Sequence, residues 1–278
     1  MKMTTIFLCF WIFVFSNGCK NEDSPSSTSE KENITDQDSV PQLPGWKLVW
    51  NDEFNDSRVD LTKWEYEVNG DGGGNNELQY YTASDTNSYT RDGVLVIQAL
   101  KEIYQNRQYT SARMRTRNKG DWKYGRFEIR AKLPYSPGIW PAIWMLPTDW
   151  EYGGWPKSGE IDIMECLGHD PWKIYGTIHF GSSVSAHQQM GGNYTRSTSS
   201  PSFAADFHVF VIEWDSTSVQ WYVDSIKYYT AYKSSPFDKR FHLLLNVAVG
   251  GNWPGNPNDY TIFPQKMSVD YVRVYQRP

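Results

Sequence analysis

Apolar residues recur at every second position in run after run of this chain, and that period of two limits what it can fold into. Gly125-Arg126-Phe127-Glu128-Ile129-Arg130-Ala131-Lys132-Leu133 alternates polar and apolar side chains without a break. Such a pattern suits a strand with one buried face. Phe207 to Trp214 and Val219 to Val223 read as two more strands, and the turn-like Asp215-Ser216-Thr217-Ser218 between them makes the pair a hairpin. Val269 to Tyr275 closes the chain as a strand. Gly, Asn, Asp and Pro clusters at 69–76, 153–159 and 250–258 separate the runs. No long segment has helical periodicity and no repeat is present. The expected class is all-β, an antiparallel sandwich or barrel, with only short helical turns such as one near Pro236-Phe237-Asp238-Lys239.

The first residues follow other rules. Lys2 precedes an unbroken apolar run of 10 residues from Ile6 to Phe15. A membrane-spanning helix takes roughly 20 residues, so residues 1–18 read as a signal peptide. Ser16-Asn17-Gly18-Cys19 resembles a lipobox, with Ser16 where Leu is usual, and marks Cys19 for lipidation. Ordinary secretion, with cleavage at a nearby small residue, is the alternative. Residues 19–43 are polar and too poor in large apolar side chains to fold alone, which makes them a lipidated flexible tether. The folded domain is expected over 44–278. The protein is therefore expected to be exported and held at the outer membrane or cell surface, touching a membrane only through Cys19. Of 3 cysteines, Cys9 would leave with the signal; Cys19 and Cys166 have no reason to pair, and Cys166 reads as small core packing.

Aromatic residues make up 16% of the chain, including 13 Trp and 18 Tyr. Trp is rarely buried completely, so several should line a surface or cleft, where they stack on the apolar faces of sugars. A net charge of -5 and the lack of any basic run argue against nucleic acid and acidic lipid as partners.

One strand concentrates charge. In Glu160-Ile161-Asp162-Ile163-Met164-Glu165, Glu160 and Asp162 share a face while Ile161 and Ile163 point into the core. Regular alternation would bury Glu165 alone, at high cost. A β-bulge at Ile163-Met164 adds the one residue that returns Glu165 to the carboxylate face. Clustered like charges raise at least one pKa, so one carboxyl can serve as an acid while another serves as a nucleophile. Retaining glycosidases need such a pair roughly 5–5.5 Å apart. A solvated acidic edge or a cation site is the plainer alternative; apolar neighbours and nearby Trp residues weigh against it. Trp140 and Trp144 share a strand face by parity, and Trp155 and Trp253 sit in Gly/Pro loops as stacking candidates or loop anchors. Asn76, Arg113 and Asn246 are candidate partners for sugar hydroxyls; Arg113 could equally be a strand-face ion-pair residue. His179 has no partner at metal-ligand spacing nearby in sequence, and His208 reads as structural.

Gly159 to Glu165 resembles the active-site signature of glycoside hydrolase family 16 in its bulged form; the lichenase form lacks the extra residue. Trp140 to Leu146, Asn75 to Tyr81, Gly176 to His179 and Asn246 to Gly255 resemble other cleft segments of the family, the last those of laminarinases in particular. The resemblance spans about residues 45–276. It implies a β-jelly-roll of two curved antiparallel sheets with the cleft on the concave face, and a monomer that cleaves β-1,3-glucan internally with retention and no catalytic cofactor. It makes Glu160 the nucleophile, Glu165 the acid/base and Asp162 the group between them that modulates their charge. It places Trp140 and Trp144 in the cleft and His179 near the acid/base. It also implies a structural calcium ion held by Glu53, the Gly93 carbonyl and Asp270. A mixed-linkage glucan or a marine galactan as substrate, or glycan binding without catalysis, are the alternatives.

Overall fold

A computed structural model describes residues 40–278. The signal segment, Cys19 and most of the tether lie outside the described residues. Packing begins slightly earlier than composition suggests, because Val40 is already buried.

Two sheets stack face to face. The larger has ten strands, and its main path runs Ile226–Tyr232, Ser218–Val223, His208–Trp214, Gly125–Lys132, Gln265–Gln276, Val94–Tyr104, Arg107–Ser111 and Gln79–Tyr81. The smaller has eight, with the path His187–Thr195, Lys173–Gly181, Glu160–Cys166, Ile139–Pro147, Phe241–Val249, Arg113–Arg115 and Glu65–Glu67. Pairing is antiparallel apart from Gln79–Tyr81 against Arg107–Ser111. The first strand, Lys47–Asp52, joins the last, with Asn51 opposite Arg273, so both ends of the domain are locked into one sheet. This is the all-β jelly roll expected from the sequence, with the smaller sheet curved around a cleft.

The alternation of Gly125–Lys132 appears directly as alternating buried and half-buried residues, and the strand lies in the middle of the larger sheet. The hairpin forms with Trp214 opposite Val219. Asp215 closes its turn by accepting from the Thr217 and Ser218 amides, an Asx arrangement that needs no glycine. Between the sheets lie Trp64, Trp214, Trp221, Phe127, Phe210 and Phe241, all fully or almost fully buried. Cys166 is buried in the same core. The segment near Pro236 is a turn rather than a helix: Phe237 is buried and its carbonyl accepts the Trp214 indole N–H at 3.0 Å. Short 3-10 turns occur instead at Gly72–Gly74 and Val184–Ala186. His208 is structural, with Nδ1 at 2.6 Å from Asp224.

Candidate active site

The carboxylate strand bulges where its alternation requires. Asp162 pairs with Thr177 and Glu165 with Tyr175, so Ile163 and Met164 together oppose Gly176 alone. On the other side Glu165 pairs with Ala142 and Asp162 with Trp144, across the same register shift. Ile161, Ile163 and Met164 all face the core. Directly opposite residues share a face, so one row crosses the cleft floor: Glu67, Arg113, Asn246, Ala142, Glu165 and Tyr175. The bulge frees backbone groups as well. The Asp162 carbonyl accepts the Trp221 indole N–H at 2.8 Å, a bond that crosses from the larger sheet. Gly176 allows the approach, since a Cβ there would lie 2.3 Å from the Trp221 ring.

Burial shapes the charges. Asp162 is 2% and Glu165 8% exposed, while Glu160 is half-buried. Desolvation, with the Asp162 charge second, pushes Glu160 up to about 8. Desolvation and then the charges of Asp162 and Glu160 raise Glu165 well above the usual carboxylate range. Burial raises Asp162 as well, against a hydrogen bond with Glu160 that lowers it. Burial and mutual repulsion thus favour the protonated forms of these acids, and Glu160 and Asp162 are hydrogen-bonding neighbours. Trp140 donates its indole N–H to Glu165 Oε1 at 3.1 Å, and the Trp155 side chain hydrogen-bonds Glu160.

Aromatic groups bracket the acids. Trp253, 42% exposed, meets Trp140 edge-on at 5.5 Å and Tyr175 at 4.9 Å. Trp155, 38% exposed, leans over His187 at 4.9 Å. Trp140 and Trp144 are half-exposed on the cleft face. Asn76 is exposed and bonds Asn252 at 2.9 Å, tying together the loops that carry it and Trp253. A hollow of about 560 Å³ lined by Tyr135, Trp172 and Tyr260 lies apart from the three acids.

Several sequence expectations need correction. Asn246 is buried; its oxygen accepts from Trp144 at 2.7 Å and its amide donates to the Tyr81 hydroxyl, so it positions an aromatic ring instead of facing a sugar. Arg113 is buried in an ion-paired group with Glu67 and Glu77, its guanidinium 4.5 Å above Tyr81. His179 has carboxylate partners after all, because they arrive from the neighbouring strand. It pairs with Glu160, and its Nε2 lies 3.1 Å from Asp162 Oδ2. Ligand atoms of Glu160, Asp162 and His179 lie within 4.8 Å of one another. The calcium set does not fit as placed. Arg273 bonds both oxygens of Glu53, and Arg130 holds Asp270 at 2.6 Å, so a cation there would face two guanidinium groups. Sequence reading missed Glu77, Tyr81 and His187. Glu77 and Tyr81 lie in the cleft-loop segment already noted, and a buried acid beside two aromatics was the available signal; nothing in the sequence marked His187.

Residues 75–273 match the profile described as glycosyl hydrolases family 16. The chain belongs to this family. Within it, a β-glucanase from Rhodothermus marinus is 46% identical over 255 residues, covering 86% of this chain and 88% of its own length. A glucan endo-1,3-β-glucosidase from Cryptopygus antarcticus is 43% identical over 252 residues, covering 82% and 91%. The crystal structure of the laminarinase catalytic domain from Thermotoga maritima aligns with a TM-score of 0.78 at 46% identity, covering 83% of this chain and 98% of that one. The family 16 fold thus sets the frame in which the acids, the bulge and the aromatic rings are placed.

Proposed function

We propose that the chain is a retaining endo-hydrolase of β-1,3-glucan. The observation that carries this reading is the placement of Glu160, Asp162 and Glu165 on one cleft face across a bulge, under the rings of Trp140, Trp253 and Tyr175. The activities named for the relatives agree with it. Glu160, once its proton rests on Asp162, attacks the anomeric carbon. Glu165 gives its proton to the glycosidic oxygen as the C–O bond breaks, and a glycosyl ester forms on Glu160. Glu165, now ionised, takes a proton from water; that water attacks the anomeric carbon, and Glu160 leaves as carboxylate. Protons and charges return to the starting state. Trp140 holds Glu165 against the leaving oxygen, and Trp155 holds Glu160.

Reducing-end release from laminarin by the wild type, measured beside Glu160→Ser, tests the reading. Release by the wild type and none by the variant supports it. No release from laminarin with clear release from agarose or carrageenan would sink it, and binding without release from any polymer would favour a lectin. A first product in the β configuration supports retention.

The apolar run and the Cys19 that follows it support a lipid anchor at the cell surface. Metabolic labelling with a fatty acid, lost in Cys19→Ser, checks this; equal labelling of the variant would count against it.

A further inference from the structure

The strand His187–Thr195 forms the edge of the smaller sheet and contributes no acid to the site. Its first residue nevertheless reaches the catalytic groups. The hairpin from Gly181 to His187 folds back tightly around the 3-10 turn Val184–Ala186. Gly181 sits at φ +151, and a Cβ there would lie 2.4 Å from the Ala186 carbonyl oxygen. This closure brings His187 Nε2 to 2.8 Å from Nδ1 of His179, with the two rings 16° from parallel.

A hydrogen bond between two neutral imidazoles holds one proton. If that proton is on His187 Nε2, then Nδ1 of His179 accepts it and His179 carries its own proton on Nε2. That nitrogen lies 3.1 Å from Asp162 Oδ2, a buried oxygen that makes no hydrogen bond, so the proton sits beside it as an electrostatic neighbour. If the proton is instead on His179 Nδ1, a bare nitrogen lone pair faces a carboxylate oxygen. Glu160 and Asp162 are hydrogen-bonding neighbours, so a proton held between them is not available to His179. The first arrangement sets the positive end of an N–H dipole beside the buried oxygen and the second sets a lone pair there, a difference that matters most in a dry site.

We propose that His187 is a positioning residue that sets the tautomer of His179, so that Nε2–H is presented to Asp162 and Asp162 stays in place to take the proton of Glu160. The proton passes from the Glu160 carboxyl to the Asp162 carboxylate, which leaves Glu160 ionised and Asp162 neutral. His187 touches neither substrate nor reacting atoms in this account. The competing role is a purely steric one, since His187 also packs against Trp155, whose side chain hydrogen-bonds Glu160.

Two substitutions separate the roles. His187→Gln keeps a donor for His179 Nδ1 and loses the ring. His187→Phe keeps a ring against Trp155 and loses the donor. His187 is only half-buried at a sheet edge, so both variants should fold, which melting curves will verify. Nitrogen NMR of labelled imidazoles at neutral pH should show His179 protonated at Nε2 in the wild type and in His187→Gln, and that preference lost in His187→Phe. On β-1,3-glucan, kcat should fall about tenfold in His187→Phe, the worth of one hydrogen bond, with KM within about twofold. His187→Gln should recover most of that rate. An unchanged tautomer and kcat in His187→Phe would overturn the proposal. So would a slow His187→Gln beside a normal His187→Phe, which would assign the role to packing. The rate measurement rests on the proposed glucanase function; the tautomer measurement does not. Failure of the wild type to cleave glucan therefore leaves the NMR result to decide this inference alone.

Discussion

Trp144 donates its indole N–H to Oδ1 of Asn246 at 2.7 Å, across neighbouring strands of the cleft floor. Asn246 in turn donates to the Tyr81 hydroxyl, so the pose of a half-exposed ring depends on a buried polar group behind it. Asn246→Ala removes both bonds. We expect KM for glucan to rise several-fold as Trp144 loses its fixed orientation, and stability to fall by about 1–3 kcal/mol from the polar groups left unpaired. Steady-state kinetics and thermal melts check this, and an unchanged KM would show that Trp144 is held by packing alone.

Azide distinguishes the two proposed carboxylate roles. Glu160→Ala should lose at least about 10³-fold in kcat, a loss within the range for a removed catalytic carboxylate. Azide should restore turnover by attacking from the vacated side and give the α-glycosyl azide. Glu165→Ala should give the β-glycosyl azide, because azide replaces water in the second step. The same anomer from both variants would contradict the assignment.

Stability should respond to pH through Glu160. Burial raises its pKa from the ordinary 4.5 to about 8 in the folded protein. The folded state thus binds this proton more tightly than the unfolded chain does. The stabilisation is complete below about pH 4.5 and is lost as pH climbs through about 8. Tm should therefore fall between pH 5 and 8, and the slope should be shallower in Glu160→Gln. Equal slopes in the two proteins would show that the burial of Glu160 does not govern the trend.

The bulge predicts opposite outcomes for two changes in length. Deletion of Met164 leaves Glu-Ile-Asp-Ile-Glu, which alternates regularly and keeps all three acids on the cleft face. That variant should fold, with Tm within a few degrees of wild type. Insertion of one Ala after Met164 keeps Glu165 on the cleft face only if the bulge is given up, which turns Met164 out of the core, puts Ala in its place and shifts Glu165 off its pairing with Ala142 and Tyr175, so both activity and Tm should fall sharply. Circular dichroism melts of the pair decide the matter: a stable insertion variant would mean that the strand absorbs extra residues elsewhere.

The strand system was legible in the sequence because alternation is a local property. Gly125–Lys132, the hairpin at Asp215 and the bulge at Ile163-Met164 each follow from counting faces along one segment. What stayed hidden was set by neighbours distant in the chain. His179 meets Asp162 only through strand pairing, and Asn246 turns to Trp144 from a strand about a hundred residues away. The sequence leaves Arg113 open between a sugar contact and an ion pair until Glu67 and Glu77 lie beside it, and Glu53 and Asp270 look available until Arg273 and Arg130 take them. Parity tells which way a side chain points; it does not tell what the next strand has placed there.

The bond from Trp221 to the Asp162 carbonyl has a consequence for heat tolerance. The backbone under the three acids is held by a hairpin of the opposite sheet, which carries none of those acids. Local opening of that hairpin releases the bulge while the carboxylate strand is still paired on both sides. Loss of turnover on warming should therefore set in below the temperature at which the domain melts, and stiffening 208–232 should extend the working range without touching the cleft.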